Sequence, residues 1–258
     1  TRARRGGRLF AIAHGYSAYP MTRYARHLVR SGALGDLRYV QVEYVQSGLA
    51  TRVEDAPSTN RLRWMLDPSR GGLSLVLGGI GCHAQHLACF VAGRRIGSVC
   101  ADAGSVVPGR AFSDTVSALL RFEGGLRGTF CALYAAAGSE NDIRLRVIGE
   151  KGLVEWSHRD ASRLSVAMLN QGPRIATRGD ADLPPEILAL GRTPRGHPEG
   201  LREAFANLYG EVARERMSIA LGATPPELPY PRIDDGVHTM AFIEACVASN
   251  GRWVDVER

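Results

Sequence analysis

Between Ile96 and Leu169 the chain is a run of strand-like segments joined by short turns, and this run limits the possible folds more than any other feature. The segments are Ile96–Val107, Thr115–Phe122, Leu126–Ala135, Ile143–Ile148, Leu153–Ser157 and Leu164–Leu169. Glu123-Gly124-Gly125 and Gly149-Glu150-Lys151-Gly152 have hairpin chemistry, because glycine takes the positive φ that tight turns need. Consecutive hairpins pair their strands antiparallel, whereas a parallel sheet needs a long crossover between paired strands. The expected fold class is α+β: a large open, mostly antiparallel sheet of roughly six to eight strands with helices packed on one face.

The flanking segments supply the rest of the sheet and its helices. Val40, Val42 and Tyr44 alternate with Gln41 and Glu43, which predicts a strand over Leu37–Gln46. Met21–Arg30 has helical spacing, with Pro20 suited to its first turn and Gly32 to its left-handed cap. A second helix is expected from about Ile80 to Val91, stopping at Gly93. A third opens at His197-Pro198-Glu199-Gly200 and runs to Ala220, and Gly236–Ser249 forms the last. Arg252–Val256 reads as a closing strand, and Leu9–Ala13 as a short strand after a basic helix end. Leu49–Asn60 and Gln171–Gly196 read as polar connections.

Charge and composition exclude several functions. The net charge is +6, but Lys151 is the only lysine and the arginines are scattered. Such a pattern fits a GC-rich coding sequence better than a basic stripe for phosphates, so no nucleic-acid partner is expected. No apolar run approaches the roughly 20 residues of a membrane span, and no signal peptide is recognisable. The five cysteines form no CxxC pair and sit among apolar residues, which suits free thiols in a reducing, cytoplasmic setting.

Candidate chemistry centres on two places. Gly71-Gly72 and Gly78-Gly79 lead into a helix carrying His83 and His86, and glycines let backbone approach a ligand closely. His83 is suited to general acid–base work, while His86 reads as a packed or exposed helix residue. The two histidines have no acidic partner in that helix, so no metal site is expected. His197 stands in a loop before a helix, where side chains reach clefts. Tyr16 and Tyr19 could line a pocket or pack a core, and Trp64 with Arg61 or Arg63 could cover a flat ligand or pack on the surface. There is neither a GxGxxG after the first strand nor a P-loop, so the chain alone is not expected to hold a dinucleotide tightly.

Several features taken in order give a more specific reading. They are the Tyr16–Pro20 loop, Ser31-Gly32-Ala33-Leu34-Gly35 before a strand, Trp64 with Asp67-Pro68, and Gly78-Gly79-Ile80-Gly81-Cys82-His83-Ala84. Leu119–Gly128, Asn141–Gly152 with Trp156, His197–Phe205 and Asp235–Ser249 follow. Together they resemble the second domain of the glucose–fructose oxidoreductase / inositol dehydrogenase / rhizopine-catabolism (Gfo/Idh/MocA) family. The resemblance covers nearly the whole chain and is greatest to sugar or cyclitol dehydrogenases. It implies that residues 1–12 leave an N-terminal Rossmann domain absent from this sequence, and that 13–258 form a substrate-binding and oligomerisation domain. It implies hydride transfer between NAD or NADP and a hydroxyl carbon of a sugar or cyclitol, with the open sheet forming a homo-oligomer. His83 matches the family's catalytic histidine and His197 a substrate-side histidine; Tyr16, Trp64 and Arg61 would shape the substrate pocket. Two positions depart from the pattern. Gly79 stands where the family usually has an aspartate, and Met65 where an arginine often follows the tryptophan. These departures suit the alternative, a non-catalytic polyol-binding or assembly module.

Overall fold

The computed structural model describes residues 8–55, 63–67, 70 and 74–257. Its described strands form one nine-stranded sheet: β1 (Leu37–Val45), β2 (Ile96–Gly104), β3 (Thr115–Phe122), β4 (Arg127–Leu133), β5 (Asp142–Gly149), β6 (Gly152–Ser157), β7 (Arg163–Met168), β8 (Arg174–Thr177) and β9 (Trp253–Asp255). The order across the sheet is β8-β7-β6-β5-β1-β4-β3-β2-β9. Hairpins account for β2-β3-β4 and for β5-β6-β7-β8, all antiparallel. The expected α+β class with a mostly antiparallel sheet is therefore observed.

Between those two hairpin runs the first strand is inserted. β1 pairs with β5 antiparallel and with β4 parallel, in the register Tyr39↔Arg127 to Val45↔Leu133. The parallel pair is possible because a long connection, containing a helix and two strands, separates β1 from β4. Gly128 allows the close approach: a Cβ there would lie 2.3 Å from the Val40 carbonyl oxygen.

Helices α1 (Pro20–Arg30), α2 (Cys82–Ala92), α3 (Leu201–Ala220) and α4 (Ile233–Ser249) build the other layer. Pro20 sits in the first turn of α1, and Ser31 and Gly32, the latter at φ +73°, close it. Gly93 at φ +65° ends α2 as expected. Buried residues alternate along β3 and β4, so one face of each strand meets the helices and the other is open. Phe242 of α4 meets Phe130 of β4 edge-on at 5.2 Å, and Leu87 and Val91 of α2 are fully buried. Each such side chain contributes about 1.5–3 kcal/mol relative to exposure.

Four local expectations are corrected. Ala11 makes an isolated bridge with Arg232 in place of a Leu9–Ala13 strand, since no neighbouring edge continues the pairing. The third helix begins at Leu201, where the Glu203 carboxylate accepts from the Gly200 N–H at 2.8 Å. The last begins at Ile233, because Asp235 accepts from the Arg232 N–H at 2.7 Å and so caps the chain before Gly236. Gln171–Gly196 contains β8 and the helical turn Pro185–Leu188, which pack Ala176 and Ile187 into the core.

Candidate active site

The register of the central strands brings polar residues to one end of the sheet. Val45 pairs with both Leu133 and Asp142, so Tyr44, Gln46, Tyr134 and Asn141 gather where β1 and β4 end and β5 begins. The β5–β6 hairpin pairs Arg144 with Ser157, which adds His158 to the same end. The Asn141 side chain is the hub. It donates to the Tyr16 hydroxyl at 3.1 Å and accepts from the Tyr44 hydroxyl at 2.6 Å and from Gln46 at 2.5 Å. His158 approaches Asn141 through Nδ1 at 3.3 Å and the Tyr19 hydroxyl through Nε2 at 3.1 Å.

Above this strand end lies the buried turn Gly15–Ala18. Its conformation is fixed locally: the Ser17 hydroxyl donates to the His14 carbonyl at 2.9 Å, and the Thr22 hydroxyl lies 2.9 Å from the Tyr16 and Tyr19 carbonyls. Gly15 lets α3 come close, since a Cβ there would sit 3.3 Å from the Phe205 ring. Tyr16 consequently packs edge-on against His83, Tyr44 and His158 at 5.6, 5.6 and 5.3 Å, with its hydroxyl 2.7 Å from that of Tyr44.

α2 contributes the imidazoles. The chain enters it through a π-helical turn, Leu77–Gly81, a local widening that often marks functional positions. His83 then faces His14, with Nδ1 to Nδ1 at 3.1 Å, so one of the two rings donates to the other. His86 is buried, stacked on His14 at 4.4 Å and on Phe90 at 5.9 Å, which decides for packing between the packed and exposed readings.

Burial sets the charge state of this group. Desolvation, with the neighbouring His83 adding to it, pushes His14 down to about 3. Desolvation also lowers His83, and drives buried His86 further below the ordinary histidine range. Near neutral pH the rings are uncharged. Desolvation raises Tyr19 and Tyr44, so their hydroxyls stay protonated and can donate. The site thus combines an uncharged imidazole with hydroxyl and amide groups that can both give and accept hydrogen bonds. That chemistry suits a neutral, hydroxyl-rich ligand and a proton transfer to or from it.

Of the residues singled out from sequence, the structure brings His83 and Tyr16 together. His197 is exposed; its carbonyl accepts from Arg178, and among the described residues no hydrogen bond or ring contact joins its imidazole to the cluster. Trp64 is 51 % exposed on the helical turn Arg63–Leu66, while Met65 and Leu66 pack against the core. Arg61 and the glycines at 71 and 72 lie outside the described residues. Tyr19, like Tyr16, is a pocket candidate from sequence; His14, Tyr44, Gln46, Asn141 and His158 are the members that sequence reasoning missed. Asn141 and His158 could have been found by folding the 142–157 hairpin on paper, since both flank its open end.

Gly79 has a concrete consequence. A Cβ at this position would lie 2.1 Å from the Tyr134 hydroxyl oxygen and 3.0 Å from Cζ. The space beside His83 that a side chain at 79 would enter is filled by Tyr134, whose hydroxyl burial pushes up to about 12.

An open antiparallel sheet under one helical layer, with a polar, histidine-bearing site at one end, defines an α+β ligand-binding domain. Residues 22–155 match the sequence profile described as the GFO/IDH/MocA C-terminal domain. The chain belongs to this family. It is 29% identical to an uncharacterized oxidoreductase, YfiI, of Bacillus subtilis (strain 168), over 98% of this chain and 66% of the relative. An inositol dehydrogenase homolog of Azotobacter vinelandii, solved in complex with NAD+, superposes with a TM-score of 0.88 at 32% identity, covering 98% of this chain and 66% of that one. A structure described as an inositol dehydrogenase homolog from the same organism, complexed with NADH and myo-inositol, gives 0.84 at 29% identity, with the same coverage of both chains. The chain therefore spans 66% of the length of these relatives.

Proposed function

We propose that this chain is the substrate-binding domain of a nicotinamide-dependent oxidoreductase that acts on a hydroxyl carbon of a sugar or cyclitol. The observation that carries the reading is the polar cluster beside uncharged His83, formed from hydroxyls, an amide and imidazoles at one sheet end. Complexes of relatives with NAD+, NADH and myo-inositol support the class of ligand.

The sequence carries no GxGxxG fingerprint after its first strand. The chain alone is accordingly assigned no tight nucleotide site, and NAD or NADP, which would accept or supply the hydride, is assigned to a partner domain. On this side of the reaction, His83 Nδ1 is engaged by His14, so Nε2 takes the substrate hydroxyl proton as the carbon is oxidised. Tyr16, Tyr44 and Asn141 orient the ring's hydroxyls, while the exposed His197 and Trp64 are assigned a role at the rim of the site. The open sheet face is the surface for a second copy of the chain. Gly79, which leaves no carboxylate beside His83, favours a second reading: a polyol-binding module without turnover.

The test starts with the coding sequence upstream of Thr1, read for an in-frame GxGxxG and a Glu-Lys-Pro motif. The encoded protein is then assayed for NAD(P)+-dependent oxidation of myo-inositol and simple sugars. We expect turnover, with His83→Asn lowering kcat on the order of 10²- to 10⁴-fold. Polyol binding without turnover would establish the second reading. Neither binding nor turnover would overturn both.

A further inference from the structure

We propose that His14, Cys82 and His83 form a binding site for a borderline-soft divalent cation such as Zn2+. One nitrogen from each histidine and the Cys82 sulfur all lie within 4.8 Å of one another, the grouping of this kind found among the described residues. The sequence alone pointed elsewhere, to His83 with His86 one turn on, a pair without a third ligand. Folding replaces His86 by His14 from the loop before α1 and adds the residue preceding His83.

The spacing fits a tetrahedral ion such as zinc. At tetrahedral angles, Zn–N bonds of about 2.0–2.1 Å put two imidazole nitrogens about 3.3 Å apart. His14 Nδ1 and His83 Nδ1 are 3.1 Å apart, so both lone pairs can converge on one ion with little ring movement. A thiolate at about 2.3 Å from the ion would stand about 3.6 Å from each nitrogen, inside the 4.8 Å within which the three ligand atoms lie. Cys82 is free, and its thiol donates to the Gly78 carbonyl at 3.2 Å. Two imidazoles with a thiolate select zinc over the oxygen-seeking magnesium and calcium. The stacked ring of His86 and the edge of Tyr16 fix the planes of His14 and His83 in advance. Three protein ligands leave the fourth position to solvent or a small ligand. On binding, the hydrogen bond between the rings breaks and the donor ring's Nδ1 proton moves to its Nε2, freeing both Nδ1 lone pairs; the S–H bond of Cys82 breaks, the sulfur bonds the ion, and that proton is released to buffer.

The site's consequence rests on the oxidoreductase reading: an ion on His83 ties up the imidazole that takes the substrate proton, so zinc would inhibit turnover. Metal binding itself does not depend on that reading and is measured without substrate or nucleotide. Chelator-stripped, untagged chain is dialysed against Zn2+ and analysed for metal, and a parallel sample is titrated with Co2+. The expected result is stoichiometric zinc, a sulfur-to-cobalt charge-transfer band, and proton release in weak buffer. Cys82→Ser should abolish the band and weaken binding on the order of tenfold or more while the circular dichroism spectrum is unchanged. His14→Asn should weaken binding similarly. No retained metal, or a band that survives Cys82→Ser and so comes from another cysteine, would overturn the site while leaving the dehydrogenase reading intact.

Discussion

At the scale of single residues, the stacked imidazoles couple folding to pH. His14 is depressed to about 3 by burial and by His83, against an ordinary histidine value of about 6.5. Between those values the unfolded chain binds the proton and the folded chain does not, so stability rises with pH across this window. His83 and His86 are lowered in the same direction. Urea titrations of chelator-treated protein should therefore show full stability above about pH 6.5 and a loss on the order of a few kcal/mol as the pH falls toward 3. Replacing His14 by Gln should flatten that slope. A second residue-scale effect sits at Gly79. Restoring the carboxylate of the family pattern with Gly79→Asp places Cβ on the Tyr134 hydroxyl, a collision relieved only if a buried ring moves. The substitution should cost about 1–3 kcal/mol by thermal melting. Combined with Tyr134→Phe, which removes the nearest atom, the cost should shrink; additive losses would show that the two positions do not meet.

At the scale of elements, the loops that border the site are held by one buried guanidinium. Arg110 is fully buried and pairs with Asp114 at 2.9 Å and Glu54 at 2.7 Å, while also donating to the Leu49 and Thr51 carbonyls at 2.8 Å. Asp114 in turn accepts from the Val106 and Val107 N–H groups, so the turn after β2 and the connection after β1 share one anchor. Arg110→Met should destabilise the protein by about 3–5 kcal/mol, because it strands the Asp114 carboxylate without its partner. Denaturant melts read the loss; a change within error would mean that water replaces the guanidinium. No arginine in the sequence advertises this role, since Glu54 and Arg110 meet only through tertiary contact. The helix boundaries teach a related lesson. α2 carries its histidines where periodicity placed them, yet the π turn at Leu77–Gly81 gives no periodic signal, because it depends on Gly81 clearing Phe130 and Leu77.

At the scale of the whole molecule, the described residues cover the sheet on one side only. Its open face mixes apolar with charged groups: Leu119 is 52 % exposed, Arg121 lies 3.8 Å over Trp253, and Arg146 pairs with Glu155 at 2.7 Å. Shallow concavities along it are lined by Gln41, Glu43, Thr129 and Arg144 and share no residue with the histidine cluster. Alternating arginine and glutamate can meet a copy of itself across a two-fold axis, which supports assignment of this face to self-association. Sedimentation velocity should show an oligomer that Leu119→Asp dissociates without a matching fall in melting temperature. A monomeric wild-type chain would refute the assignment.

The sequence alone makes legible the class of fold, the hairpins at Gly124-Gly125 and Glu150-Lys151, the stop signals at Gly32 and Gly93, and the placement of His83 on a helix. These follow from short-range chemistry: alternation, turn residues and caps that act within a few positions. It also carried the family, through motifs spread along nearly the whole chain. Only the tertiary structure decided that β1 enters between β5 and β4, that His14 and not His86 faces His83, and that Tyr134 occupies the space beside Gly79. Each of these joins residues dozens of positions apart, where packing and desolvation select the partners and no local period records them.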